Sequence, residues 1–224
     1  MKPKSIGIIG GAGPLAGAFL LERIFSLSRE KYNCHNDSDF PQIFLISFPF
    51  SDMLSSTINV SALRKELSQC LKQLRESSAC VLAIACNTLH AFLDEKDPLS
   101  DLVHLPRAVT GKITPSDEPL IFCTSTSARF GLYKQFFPCI YPDTQTQEEV
   151  DRIIDQILQG KEPIAILQKL KNLIQTQSVN TVILGCTELS LFAADLSVPN
   201  KLIIDPLEIM ANKILENSFS NNRM

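Results

Sequence analysis

The sequence predicts an α/β fold of two pseudosymmetric lobes, each a parallel sheet flanked by helices, with the active site in the cleft between them. Three observations carry that prediction. Short apolar runs alternate with longer amphipathic stretches, the β-α-β-α rhythm of a sheet covered by helices. The apolar runs are nearly continuous rather than alternating, as in parallel strands buried on both faces. The halves also repeat one design, a weak internal duplication: VLAIAC ends at Cys86 and TVILGC at Cys186, each followed by a threonine within two residues, and IGIIGGAG near the start is matched by LIFCTSTS in the middle.

Taken in order, SIGIIGG (5–11) is the first strand and AGAFLLERIFSLSREK the helix after it; QIFLIS (42–47) is the second strand. The helix predicted over 61–76 places Leu63, Leu67, Cys70, Leu71 and Leu74 on one stripe, while Arg64, Lys65, Lys72 and Arg75 face water. CVLAIAC (80–86) is the third strand, followed by a helical segment from Thr88 to Leu93. Between 94 and 119 the chain turns polar, and Pro98, Pro106, Pro115 and Pro119 break any long helix, so the crossover between lobes falls here. LIFCTSTS (120–127) then leads to a helix carrying Phe130, Leu132, Tyr133, Phe136 and Phe137. EEVDRIIDQILQG is helical with Gly160 as its stop, and Pro163 to Gln177 is helical again. TVILGC (181–186) and KLIIDP (201–206) are the last strands before a closing amphipathic helix. The expected lobes are residues 1–106, joined by the helix 207–224, and residues 107–206.

Composition narrows the function classes. A chain of 224 residues with 45% hydrophobic content buries a substantial core. A formal charge of -3, with lysines and arginines scattered, offers no footprint for nucleic acid. MKPKS runs into an apolar stretch too short for a signal peptide, and no stretch approaches the roughly 20 residues that cross a membrane, so no membrane partner and a cytoplasmic location are expected. The seven cysteines are irregularly spaced without a CxxC pair, which predicts free thiols and no zinc site. His35 and His104 lie in loops without metal spacing, and His90, one turn beyond Cys86, reads as a capping or core residue.

Ligands of open parallel sheets sit beyond the carboxyl ends of the strands, where Cys86 and Cys186 are expected. Taken singly, each thiol reads equally well as a small core hydrophobe. Matched positions in matched halves argue for chemistry. Asn87 and Thr88 follow the first cysteine, Thr187 and Glu188 the second, each opening a helix whose N–H groups and dipole favour a carboxylate and would lower a thiol pKa. Ordinary capping explains Asn87, Thr88 and Thr187 equally well. The run Gly11-Ala12-Gly13-Pro14-Leu15-Ala16 also fits a loose dinucleotide-binding pattern, but the second strand ends in Ser47 rather than an acid that would hold a ribose.

IGIIGGAGPLA, ACNTLHAF and LGCTELSLF resemble, in order and across nearly the whole chain, the three motifs of the aspartate/glutamate racemase superfamily, closest to the aspartate racemase branch. The glutamate branch usually carries His where this chain has Glu188. The resemblance implies an amino-acid racemase without pyridoxal phosphate, other cofactor or metal, acting on a small-molecule amino acid and assembled as a homodimer. It implies that Cys86 and Cys186 are opposed acid and base, that Asn87, Thr88 and Thr187 bind the α-carboxylate or amino group, and that Glu188 orients or assists its cysteine. Gly11, Thr124 and Ser127 complete the expected substrate-binding set, with Gly10, Gly11 and Gly13 permitting close backbone approach and the lobes closing over the substrate.

The departures matter too. Many aspartate racemases carry Asp-Arg where this chain reads Asp52-Met53, and some a Lys where it has Leu158-Gln159; a distal substrate carboxylate thus loses its basic partners. Thr124-Ser125-Thr126-Ser127 also replaces the usual Thr-x-Gly-Thr. A racemase for other amino acids, a two-cysteine relative of the hydantoin racemase or maleate isomerase kind, and a non-catalytic amino-acid-binding protein on this fold stay open.

Overall fold

The computed structural model describes residues 2–51, 53, 57–94, 99–114 and 117–220, and its strands form two parallel sheets. The first holds β1 (Ile6–Gly10), β2 (Ile43–Ser47), β3 (Val81–Ile84) and β4 (Leu102–Val103) in the order β2-β1-β3-β4. The second holds β5 (Leu120–Phe122), β6 (Thr181–Leu184) and β7 (Leu202–Ile204) in the order β5-β6-β7. The central strands β1 and β3 are buried throughout, whereas the edge strand β2 leaves Leu45 and Ser47 exposed. This is the α/β architecture of two sheets flanked by helices that the alternating pattern predicts.

The helices are α1 (Pro14–Tyr32), α2 (Val60–Glu76), α3 (Leu105–Val109), α4 (Ser125–Arg129), α5 (Thr144–Leu158), α6 (Pro163–Gln175) and α7 (Pro206–Phe219). α2 begins where the Asn59 side chain accepts the Ala62 N–H at 3.0 Å, and its predicted stripe from Leu63 to Leu74 is buried. α5 is capped by Asp143, which accepts the Thr146 N–H at 2.8 Å. It stops at Gly160, whose φ of +66° lets the Gly160 and Lys161 N–H groups reach the carbonyls of Ile157 and Gln156, each at 3.0 Å.

α7 returns to the first sheet. Leu207, Met210, Ala211, Ile214 and Leu215 share one buried cluster with Ile6, Ile8, Leu20 and Ala83. Arg23 on α1 donates two hydrogen bonds to Glu208, at 2.8 and 2.9 Å, and the Lys4 N–H reaches the Ser218 carbonyl at 2.9 Å.

Three local expectations are corrected. The crossover region contains β4 and α3; the former is too short for any periodicity to reveal, and it joins the sheet through the Leu102 and Val103 register with Leu82 and Ala83. The single helix expected after β5 is cut short at Arg129, because Gly131 adopts φ +58° and a 3-10 turn over Tyr133–Gln135 follows. The segments after Cys86 and Cys186 are 3-10 helices, Thr88–Phe92 and Leu189–Asp195. Asp52, Pro98 and Pro115 lie outside the described residues. Among the described residues no helix is long and apolar enough to cross a membrane.

The packing of α7 yields a test. Ile214→Ala is expected to lower the unfolding free energy by about 2–5 kcal/mol in urea titrations. A loss below about 1 kcal/mol, the range of tolerated core changes, would show that the returning helix is not part of the first core.

Candidate active site

β3 ends at Ile84 and β6 at Leu184, and each chain runs two residues further to a cysteine. The Ala85 N–H still bonds the Ile9 carbonyl at 2.8 Å, so Cys86 emerges from a fixed sheet edge. On the other side Gly185 leaves no room for a side chain: a Cβ there would lie 2.6 Å from Ile121 Cγ2. Both thiols line one cavity of about 190 Å³. Gly11, Asn87, Thr88, Thr124, Thr187 and Glu188 line it as well. A wider groove of about 700 Å³ beside α3 and α7 contains neither thiol.

Ser127 is placed differently from the other candidates. It is fully buried, its hydroxyl 2.9 Å from Thr88 Oγ1, and it is not among the residues lining the cavity. Thr124 Oγ1 lies 3.4 Å from each of these hydroxyls and accepts the Ser127 N–H at 3.2 Å. Ser127 thus supports Thr88 and Thr124 from behind. Gly11 has φ +98°, and a Cβ there would run into the Phe48 backbone, so only glycine fits this wall.

Hydrogen bonds join the segment around Thr124–Tyr133 and the Cys186 loop to the first sheet's side. Thr187 Oγ1 lies 3.3 Å from the Ala85 carbonyl, and Thr88 meets Ser127 as described. Thr126 Oγ1 donates to the Met53 carbonyl at 2.6 Å. Tyr133 Oη, wholly buried, donates to Asn87 Oδ1 at 2.5 Å. Tyr133 and Thr126 were not legible as site residues, since Tyr133 reads as one of several core aromatics and Thr126 only as part of the run that replaces Thr-x-Gly-Thr.

Cys186 Sγ donates to Glu188 Oε2 at 3.0 Å. Among the described residues two buried polar atoms at the cavity have no well-formed hydrogen bond: Asn87 Nδ2, a donor, and Glu188 Oε1, an acceptor lying against the Gly13 backbone. Buried orphans of opposite character beside one cavity are what a ligand carrying both an anionic and a cationic group would satisfy.

The thiol electrostatics run opposite to the expectation from helix N-termini. Burial, reinforced by the Glu188 charge, pushes the Cys86 thiol up to about 12 and the Cys186 thiol well above its ordinary value. N–H groups of Leu89 and Thr88 pull Cys86 down, but desolvation outweighs them. Burial also raises Glu188. Without a ligand both thiols are therefore protonated at neutral pH.

His90 anchors the first cysteine from below. Its Nε2 lies 3.2 Å from the Leu105 N–H and must accept, so Nδ1 carries the proton and donates to the Cys86 carbonyl at 2.9 Å. Burial, with His104 nearby, lowers its pKa to about 3. It is a neutral structural imidazole, in line with a core role.

The chain is similar to known proteins over most of its length. Residues 9–214 match the family described as Asp/Glu/Hydantoin racemase. The broad specificity amino-acid racemase RacX of Bacillus subtilis (strain 168) is 20% identical over 194 residues, covering 83% of this chain and 86% of the relative. An aspartate racemase homologue from Pyrococcus horikoshii OT3 is 25% identical with a TM-score of 0.68, covering 97% of this chain and 100% of its own. Picrophilus torridus aspartate racemase shares the fold at a TM-score of 0.76 and 20% identity, covering 96% and 94% of the two chains.

Two expectations follow. The imidazole of His90 excludes a proton that the unfolded chain accepts near pH 6.5, so the stability its neutral form contributes is present above 6.5 and lost as pH falls toward 3. His90→Asn should be less stable at neutral pH, yet lose about 2 kcal/mol less than wild type between pH 7.5 and 5.0 in urea titrations, at about 1.4 kcal/mol per unit below 6.5. Equal losses in the two proteins would remove the imidazole as the source. Tyr133→Phe leaves the Asn87 oxygen without its buried donor and should cost about 1–3 kcal/mol by the same measurement; an unchanged midpoint would count against that bond.

Proposed function

The chain belongs to the Asp/Glu/Hydantoin racemase family, and from that premise we propose that it inverts the α-carbon of a free amino acid by proton transfer between Cys86 and Cys186, without pyridoxal phosphate or metal. The observation that carries the reading is the pair of strand-end thiols on one small cavity, one of them hydrogen-bonded to a buried carboxylate. The proposed lobes, residues 1–106 with the helix 207–224 and residues 107–206, contribute one thiol each.

An amino acid offers groups of the polarity that the two orphan atoms at the cavity require. Its ammonium group suits Glu188 Oε1 and its carboxylate suits Asn87 Nδ2, with Thr88, Thr124 and Thr187 and the backbone at Gly11 as neighbours. The incoming positive charge makes a thiolate affordable in a cavity where burial opposes it. Cys186 passes its proton along the existing hydrogen bond to Glu188, and the resulting thiolate removes the Cα proton from one face. Cys86 delivers its own proton to the opposite face. The step leaves Cys186 as a thiol, Cys86 as a thiolate and Glu188 protonated; transfer of that proton back to Cys86 on product release restores the starting state. For the other enantiomer Cys86 is the base. Water exclusion and the fixed donors stabilise the carbanionic charge between these transfers.

The test is incubation in heavy water with separate L- and D-amino acids, following Cα proton loss by NMR and chirality by chiral chromatography. Inversion of at least one amino acid is expected, and Cys86→Ala and Cys186→Ala should each lower it by about 10²–10⁴-fold, the usual weight of a general acid or base. Binding without any exchange would replace the racemase reading with an amino-acid-binding protein.

A further inference from the structure

We infer that the cavity selects an amino acid with an uncharged, apolar side chain, and discriminates against dicarboxylic amino acids. The inference rests on the racemase reading for the orientation of the α-carbon groups, but its basis is the rest of the cavity wall.

Once the thiols and the polar groups around them are set aside, Phe50, Met53, Ile154 and Leu158 make up most of what remains. No lysine, arginine or histidine lines the cavity among the described residues, and Glu188 is its one formal charge. The chain from Ser51 to Thr57 reads Ser-Asp-Met-Leu-Ser-Ser-Thr and contains no cation in any position. A distal carboxylate would thus enter beside a like charge with no partner of opposite sign, the costly form of burial.

The neutral donors are also committed. Ser51 spends both its N–H and its hydroxyl on Glu66, at 3.0 and 2.6 Å. Thr88 and Thr124 are held in the hydroxyl cluster with Ser127. The orphan donor, Asn87 Nδ2, is taken by the α-carboxylate. A lysine or arginine side chain fares no better, because Glu188 already serves Cys186 and the substrate ammonium.

The apolar wall is built into place rather than adventitious. The Met53 carbonyl is tied to Thr126, the Phe50 ring packs against Phe48 at 4.9 Å between centroids, and Ile154 is only 2% exposed. Leu158 closes α5 just before the Gly160 turn and reaches across to the glycine loop, where a Cβ on Gly13 would lie 3.0 Å from Leu158 Cδ2. These four side chains form the specificity surface.

The experiment compares kcat/KM for Cα exchange on L-methionine, L-leucine, L-aspartate, L-glutamate and L-lysine, with affinities for the same five measured by calorimetry. Wild type is expected to favour methionine or leucine over each charged amino acid by about tenfold or more, as a site lacking partners for a charge should. Met53→Arg should raise the aspartate-to-methionine ratio by about tenfold or more, and the half-exposed position makes Leu158→Lys the second route should the first variant fail to fold. Equal or better turnover or binding of aspartate, glutamate or lysine by wild type would overturn the inference. Absence of exchange with methionine still bound tenfold tighter than aspartate, and that order reversed by either variant, would sink the racemase reading and leave the selectivity standing.

Discussion

The site depends on the hydrogen bonds that cross from one sheet's side to the other. Each sheet alone delivers a cysteine just past a buried strand, but a thiol at a strand end is chemically inert until something faces it. Tyr133 to Asn87, Thr88 to Ser127, Thr187 to Ala85 and Thr126 to Met53 set one strand end against the other. Three of these bonds are buried and the Thr126 bond partly so, and a buried polar group without its partner costs about 1–3 kcal/mol, so the seam has one strongly preferred register. The same bonds spend the capacity of most hydroxyls near the thiols. What is left over, one donor on Asn87 and one acceptor on Glu188, defines the polarity a ligand must bring.

That scarcity connects the electrostatics to the chemistry. A site stocked with cations would hold thiolates permanently; this one holds thiols and a buried acid, and the charge needed to ionise a thiol arrives with the proposed substrate. The apolar wall formed by Phe50, Met53, Ile154 and Leu158 has the same effect from the other side, since it lowers the dielectric around Glu188 and both sulfurs and makes each unpaired charge expensive.

Much of this was legible in the residues, for definite reasons. Buried parallel strands read as unbroken apolar runs, so IGIIG, VLAI and TVIL declare themselves, and the thiols at their ends follow from the rule that places ligands at carboxyl ends. Gly160 was readable because a left-handed stop admits little else. β4 was not, because two residues carry no period. Nor was the sign of the thiol shift, since desolvation depends on how completely the lobes cover the sulfurs, a quantity no local motif contains. Tyr133 escaped for the opposite reason: its ring behaves as its neighbours' rings do, and only its hydroxyl has a task.

The return of α7 to the first sheet bears on how the chain acquires its shape during synthesis. β1 and α1 are made first, yet part of the surface they bury is supplied by Leu207, Met210, Ile214 and Leu215, which follow the whole second sheet. Contacts this distant in sequence make the first lobe slow to complete. While the ribosome is still working, the earliest strands carry an uncovered apolar face, and the second sheet, one of whose two core clusters is drawn from residues 120–203, is free to condense on that side first.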